Sequence, residues 1–415
     1  MQGGAGLTMR RSLVALNALN FFMADVQSGL GPFLGVFLQA RHWSPAEIGV
    51  VMTIGGISGM AVTTPLGALV DRTRAKRAIV VATAIAITAA SIAILLRPSF
   101  FVVSAAQVAT GIAGAAAGPA IAAITLGLVR LRGFAHQLGR NEACNHSGNV
   151  VAAALAGISG YFFGLGAVFV VLAITAVFSV AAALRIDADA IDHRAARGAA
   201  EHDGSGVAGL TVLIRSKPLI VLGVTLILFH LGNAAMLPLL GQAMVARGAG
   251  NPSAFTGATI VIAQLTMVPV ALIAARLAEA RGYWLVFLLA LIALPVRGIT
   301  AALIAGPWSL GPVQILDGIG AGVMGVAVPG LVARILSGTG RVNAGLGAVM
   351  TLQGVGAALS PTVGGIVAER FSYPSAFLAL GTIAAAALAL WLATRPVMAP
   401  ACANRGDETE ARLAA

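Results

Sequence analysis

Asp25 is a lone carboxylate in a long apolar stretch, with Asn20, Gln27 and Ser28 close by in sequence. An ion in such surroundings is costly unless a cation, a proton or hydrogen-bond donors compensate it. The chemistry open to Asp25 is therefore reversible proton binding, or permanent attachment to neighbouring amide and backbone groups. His230 and Asn233 form a second polar group. Arg297 and Asp317 form a third, of opposite charge and at matching depth in successive apolar stretches. That pair suits a salt bridge, with a structural or a substrate-binding role. Gln107, Gln264, Gln314 and Gln353 offer uncharged donors and acceptors, to a polar solute or between helices. Glu142, Asn145 and Asn149 recur at i, i+3 and i+7, which puts them on one helix face, as a polar gate or a cavity lining requires.

The same residues exclude other chemistry. Six histidines scattered along the chain do not form a metal-ligand set. Asp25 and Asp317 lie in different stretches at different depths, so the paired carboxylates of a hydrolytic enzyme are missing. No Gly-x-x-x-x-Gly-Lys-Ser/Thr stretch is present to cradle a nucleotide's phosphates. The expectation is a protein without metal, cofactor or enzymatic activity.

These polar residues need a frame. The chain is 58% hydrophobic and only 10% charged, with a mean hydropathy of +0.93. Charges cluster between apolar runs of roughly 20 residues, the length that crosses a ~30 Å hydrocarbon core as a helix. Lipid offers no partner for a bare amide, so helices that satisfy their own backbone are the natural form. A transmembrane barrel would need short alternating segments instead. The sequence predicts an all-α membrane protein with twelve spans, at 12–39, 46–70, 78–96, 99–129, 143–164, 166–186, 218–246, 253–275, 283–303, 310–333, 344–368 and 374–394. The connection near Gly164–Gly166 is short, but 143–186 is too long for one crossing.

Of the 26 Lys and Arg residues, only Arg41, Arg97, Arg247 and Arg370 fall in one set of loops, and Arg297 falls inside a span. All others lie in the alternate loops or the termini, which the positive-inside rule places in the cytoplasm. Both termini are then cytoplasmic. The net charge of +11 is spread over loops rather than gathered on a soluble domain, which argues against nucleic acid as a partner. Cys144 and Cys402 both fall on the cytoplasmic side, where no structural disulfide is expected. Trp43, Trp284, Trp308 and Trp391 lie near span ends and read as interfacial anchors. Scarce lysine with abundant Ala, Gly and Arg points to a GC-rich bacterial gene, hence to a bacterial inner membrane.

The polar stretch 187–217 contains Asp203-Gly204-Ser205-Gly206, a flexible-linker composition, with a short interfacial helix expected at 207–214. It divides the chain into 1–186 and 218–394, each with six spans, followed by a cytoplasmic tail, 395–415, too short for a signalling domain. The halves repeat. Gln107, Gly111 and Ile112 recur 207 residues later as Gln314, Gly318 and Ile319. Pro32 and Gly35 recur 206 residues later as Pro238 and Gly241. Six spans per half make both halves enter from the same side. They then form two six-helix bundles related by a pseudo-two-fold axis along the membrane normal.

After the second span the chain reads Gly67-Ala-Leu-Val-Asp71-Arg72-Thr-Arg74-Ala-Lys76-Arg77. This resembles the signature of the major facilitator superfamily, with Gly67, Asp71, Arg72 and Lys76 on the family's pattern. Arg74 stands where the family usually has Gly, and Ala75 where it usually has a basic residue. The resemblance implies that Asp71 and Arg72 latch the halves on the cytoplasmic side; a purely topogenic basic loop is the alternative. It also implies that the first and seventh spans line a central cavity, where Asp25 and His230 could approach each other. Two departures narrow the activity. Gln107 occupies a position where many members carry an Arg linked to proton coupling. The fifth span reads Gly157-Ile-Ser-Gly160 without the proline of drug–proton antiporters, while Ser360-Pro361-Thr-Val-Gly364-Gly365 sits in the eleventh.

The expected function is secondary active transport of a small organic solute by a monomer in the lipid bilayer, proton-coupled through Asp25, with efflux favoured by the sparse and mostly apolar cavity residues. An uptake symporter and an uncoupled facilitator for a small polar metabolite stay open.

Overall fold

The computed structural model describes residues 2–28, 30–193, 195–197, 215–248, 250–304, 306–337 and 342–403. The linker helix expected at 207–214 lies outside the described residues. Among those described there are helices, turns and short 3₁₀ pieces, with no strand. Eleven helical stretches are long and apolar enough to cross a membrane. Their surfaces carry bare large apolar side chains, with Phe101, Phe163 and Leu303 more than three-quarters exposed, a covering suited to lipid rather than water.

Contacts divide the chain into two compact units. The first holds Met1–Trp43, Val51–Asp203 and Asn251–Val261; the second holds Ser44–Val50, Gly204–Gly250 and Ile262–Ala415. In the first unit, α1 (Gln2–Ser28), α4 (Lys76–Leu96), α5 (Phe100–Phe163) and α6 (Gly166–Arg185) pack together. Their core is built from Leu16, Leu19, Met23, Ile87, Ile124 and many alanines, whose small side chains let helix backbones approach. In the second unit, α10 (Tyr283–Leu303) packs on α11 (Leu310–Ile335) and α13 (Tyr373–Ala393), and α7 (Lys217–Asn233) packs on α12 (Val342–Arg370) and α13.

The first span of each half is broken. α1 gives way to α2 (Gly31–Gln39), with Gly31 at φ 46° and Pro32 in the first turn. α7 gives way to α8 (Met236–Arg247), with Pro238 one turn in. Proline lacks the amide donor and collides with the carbonyl four residues back, so the repeated Pro32 and Pro238 mark both breaks. The Ala235 amide, freed at the second break, donates to the buried Ser360 Oγ at 2.9 Å.

The fourth and fifth expected spans are two helices that follow each other across a kink at Arg130, without the expected loop, and share the label α5. α5 runs through 130–142, read from the sequence as a loop, and departs from helical geometry at Arg130 (φ 55°, ψ −177°). Thr125 and Asn141, about 24 Å apart along a straight helix, touch at 2.9 Å, so the chain doubles back there. The stretch 143–163 is helical but is not among the eleven apolar spans, because His146, Ser147 and Asn149 dilute its start.

Two helix starts lie with the unit formed mainly by the other half. α3 (Pro45–Arg72) opens on a capping box: the Ser44 amide donates to Glu47 Oε2 at 3.0 Å, and the Glu47 amide to Ser44 Oγ at 3.2 Å. α9 (Pro252–Arg281) opens on Asn251, whose Oδ1 accepts from the Ala254 amide at 3.0 Å. Ser44-Pro45 and Asn251-Pro252 stand 207 residues apart, a further repeat. Within the second unit the α3 start lies on α12: the Ala46 amide donates to Glu369 Oε2 at 3.0 Å, and Gly49 and Gly365 meet the backbone at Pro361 and Pro45. Within the first unit the α9 start lies on α5. A Cβ on Gly257 would come within 2.6 Å of the Ala153 carbonyl. Glycine is required at these approaches.

The expected tail is structured as far as Cys402. α14 (Arg395–Cys402) packs on the second unit, burying Met398 and Cys402. The Arg334 Nη1 donates to the Cys402 carbonyl at 2.9 Å. Trp391 is no interfacial anchor: it is fully buried and stacked on Phe287 at 4.8 Å. Trp308, by contrast, is 86% exposed.

Candidate transport site

In the first unit, the Asp25 Oδ2 lies 2.8 Å from the Thr175 hydroxyl of α6. That hydroxyl also lies 2.9 Å from the Leu172 carbonyl of its own helix. One hydroxyl proton serves one acceptor at a time. With Asp25 ionised, Thr175 donates to it. With Asp25 protonated, the carboxylic acid donates to Thr175, which donates in turn to Leu172. Both protonation states are satisfied without moving a backbone atom. Among the described residues no cation pairs with Asp25. Its sequence neighbours do not join it: Asn20 is buried and donates to the Leu16 carbonyl at 2.9 Å, and Gln27 is half-buried near the end of α1.

In the second unit, Arg297 and Asp317 meet at 2.8 Å. Arg297 is 1% exposed, and the same Nη1 donates to Asn233 Oδ1 at 2.6 Å. This draws α7, α10 and α11 together around one compensated pair. The Arg297 Nε and Nη2 are buried without a partner, as are His230 Nε2 and both side-chain polar atoms of Gln314. His230 packs edge-on against Phe229, with 5.2 Å between ring centres. Gln264 and Gln353 are half-buried on α9 and α12, and Gln107 packs on Gly55 of α3.

The motif after α3 is partly a helix cap. Lys76 is fully buried, and its Nζ donates to the carbonyls of Val70 and Thr73 at 2.9 and 2.8 Å, a cation on the C-terminal end of a helix. Arg72 is exposed, and a Cβ at Gly67 would meet nothing. The side chain of Asp71 lies outside the described residues. Asn149 donates to Asn145 at 3.2 Å, one turn apart on the expected face, and Glu142 is exposed.

Sequence reasoning missed one polar network. Gln137 Nε2 donates to Asn17 Oδ1 at 2.8 Å and to Asn141 Oδ1 at 2.9 Å, and Asn141 donates to the Thr125 hydroxyl. It joins α1 to both arms of α5 around Arg130. Arg130 itself pairs with Asp192 at 3.2 Å, tying the start of the linker to the turn. Two amides one turn apart, in a stretch read as a loop, were the available signal.

The family model described as Major Facilitator Superfamily matches residues 13–312. The chain belongs to the major facilitator superfamily. Two curated relatives from Mycobacterium tuberculosis, named as uncharacterized MFS-type transporters MT2531 (strain CDC 1551 / Oshkosh) and Rv2456c (strain H37Rv), are each 45% identical over 386 residues, 92% of either chain. Among solved structures, the nucleoside transporter NupG superposes with a TM-score of 0.74 at 15% identity, covering 93% of this chain and 98% of that one. A bacterial homologue of the human lysosomal transporter Spinster, in an inward-facing and unoccupied conformation, superposes with a TM-score of 0.75 at 13% identity, covering 96% and 99%. At such identities the likeness is one of fold. Membership makes this chain a multi-pass membrane transporter that carries a solute across the bilayer, not an enzyme.

Proposed function

We propose that this transporter couples solute movement to protons through Asp25, exporting a small organic solute by alternating access. The supporting observation is the Asp25–Thr175–Leu172 relay, in which a carboxylate without a cation finds hydrogen bonds in either protonation state. A proton is the smallest species that removes the cost of an unpaired charge in apolar surroundings. Export rests on the sparse polar lining, which suits a largely apolar solute better than a sugar.

The remaining assignments belong to the same reading. The protein works as a monomer in a bacterial inner membrane, with both termini cytoplasmic, as the Lys/Arg distribution favours. Gly67, Asp71, Arg72 and Lys76, with Glu142, Asn145 and Asn149, form the cytoplasmic gate. Asn20, Gln27, His230, Asn233, Gln107, Gln264, Arg297 and Asp317 contribute to the solute and proton pathway.

The test begins with thermal-shift screening of the purified protein against a solute library at two pH values, since a ligand of the native state raises the melting temperature by mass action. Hits are then carried into proteoliposomes containing a pH-sensitive dye. Solute-driven proton flux that Asp25→Asn abolishes is the expected result. Transport that is indifferent to pH and survives Asp25→Asn replaces this reading with an uncoupled facilitator. Proton flux running with the solute replaces export with uptake symport.

A further inference from the structure

Several grooves run along the apolar outside of the molecule. One lies between α9, α10 and α11, with a volume of about 440 Å³, and another between α4 and α6, with about 460 Å³; neither is lined by a charged residue. A third, also about 460 Å³, lies between α1 and α6 and differs in kind. Arg10, Arg11 and Arg185 stand at one end of it, brought together because α1 begins where the antiparallel α6 ends. All three are exposed, and among the described residues none is in an ion pair. The carboxylate next along the chain, Asp187, accepts from the Asp189 amide at 3.1 Å, and its own amide is held by Ser12. Alanines floor the groove, Val14 flanks it, and Phe22 and Phe178 close its far end, stacked at 5.0 Å.

We infer that this groove is a binding site for an anionic phospholipid, with the phosphate on Arg10, Arg11 and Arg185 and one acyl chain laid along α1 and α6 as far as Phe22 and Phe178. The dimensions support this occupant. Arg11 to Phe22 spans about 16 Å of helix, close to half of the ~30 Å hydrocarbon core, which is the reach of one leaflet. A water-soluble anion would use the arginines and leave the apolar floor bare. A zwitterionic lipid would use the floor but bring its own ammonium, with no net negative charge, to the three arginines. Only a lipid with net negative charge satisfies both ends, and basic clusters beside membrane helices are the general means of recognising such headgroups.

The full-length protein is purified in a neutral detergent and titrated with dioleoyl phosphatidylglycerol, dioleoyl phosphatidylcholine or glycerol 3-phosphate. Native mass spectrometry and thermal unfolding follow binding. Phosphatidylglycerol should be retained and should raise the melting temperature, with phosphatidylcholine and glycerol 3-phosphate each ineffective at the same concentration. Replacing all three arginines by Gln should weaken phosphatidylglycerol binding about a hundredfold, each cation contributing about fivefold. Should that variant fail to insert, Arg185→Gln alone should give the fivefold loss, and Ala18→Trp should block the chain groove with every arginine in place. Equal binding of phosphatidylcholine, stabilisation by glycerol 3-phosphate, or undiminished phosphatidylglycerol selectivity in Arg185→Gln and Ala18→Trp would each overturn the assignment.

Discussion

The two units treat buried charge in opposite ways. In the first, Asp25 has a neutral hydroxyl for company and, among the described residues, no cation. In the second, Asp317 is held by Arg297, and Asn233 fixes the guanidinium from a third helix. A carboxylate with a neutral, two-way partner keeps its proton exchangeable. A carboxylate inside an ion pair is committed to its charge, because releasing it strands a buried cation. Under the proposed coupling, the units divide the electrostatic tasks: Asp25 changes charge, and the Arg297–Asp317 pair is a fixed strut.

Breaking the strut should have the largest effect. Asp317→Asn leaves Arg297 buried and uncompensated, at a cost of about 3–5 kcal/mol in folding stability; thermal unfolding in detergent reads this out. The double change Arg297→Met with Asp317→Leu should recover most of the loss. If the double variant is as unstable as the single one, the pair is not the strut described here.

Asp25→Asn should leave stability nearly intact and lower gradient-driven transport on the order of a hundredfold or more, the contribution typical of a positioned proton-transfer group. Counterflow, which needs no net proton movement, should survive. A counterflow defect as deep as the gradient-driven one would place Asp25 in solute binding instead. Thr175→Val, which removes the relay, should slow gradient-driven transport less than Asp25→Asn does, and Thr175→Ser should restore it.

The likeness between the units has its own test. Gly257→Ala sets a methyl against the Ala153 carbonyl and should cost about 1–3 kcal/mol by overpacking. Gly114→Ala meets nothing and should be neutral or stabilising by up to ~1 kcal/mol. The smallest effect separates the cysteines. Burial pushes the Cys402 thiol up to about 12, against a smaller opposing pull from Arg334. The thiolate is the reactive form, so maleimide at neutral pH should label Cys144, which is half-buried, well before Cys402. Labelling of Cys402 should catch up only when the protein is unfolded and the burial is lost.

Much of this was readable before any coordinates. Apolar run length gave the spans, and the recurrence of Pro32 at Pro238 marked the repeat, while the helix breaks at those prolines came only with the fold. The site was legible as residue types but not as partnerships. The sequence offers Asp25 only near neighbours such as Asn20 and Gln27 as partners, whereas Thr175 lies 150 residues away. Lys76 is legible as a motif residue, but its bonds to the Val70 and Thr73 carbonyls depend on a turn only the fold provides. Gln137 and Asn141 were lost in a presumed loop, since hydropathy cannot separate a polar linker from a polar helix that satisfies itself internally. Trp391 was misplaced for a related reason. A span end lies near the interface only if nothing covers it, and Phe287 of α10 is stacked on this one.

The exchanged helix starts set an order of assembly. Residues 251–261 complete the first unit, so that unit is unfinished when the ribosome has reached the linker. Its Gly157–Gly160 surface stays uncovered until two more spans have emerged. The α3 start, made early, waits far longer, because its seat on α12 is nearly the last span synthesised. Each closure joins early and late residues, the kind of long-range contact that forms slowly. A chain cut in the linker would therefore yield two pieces that must find each other before either is whole.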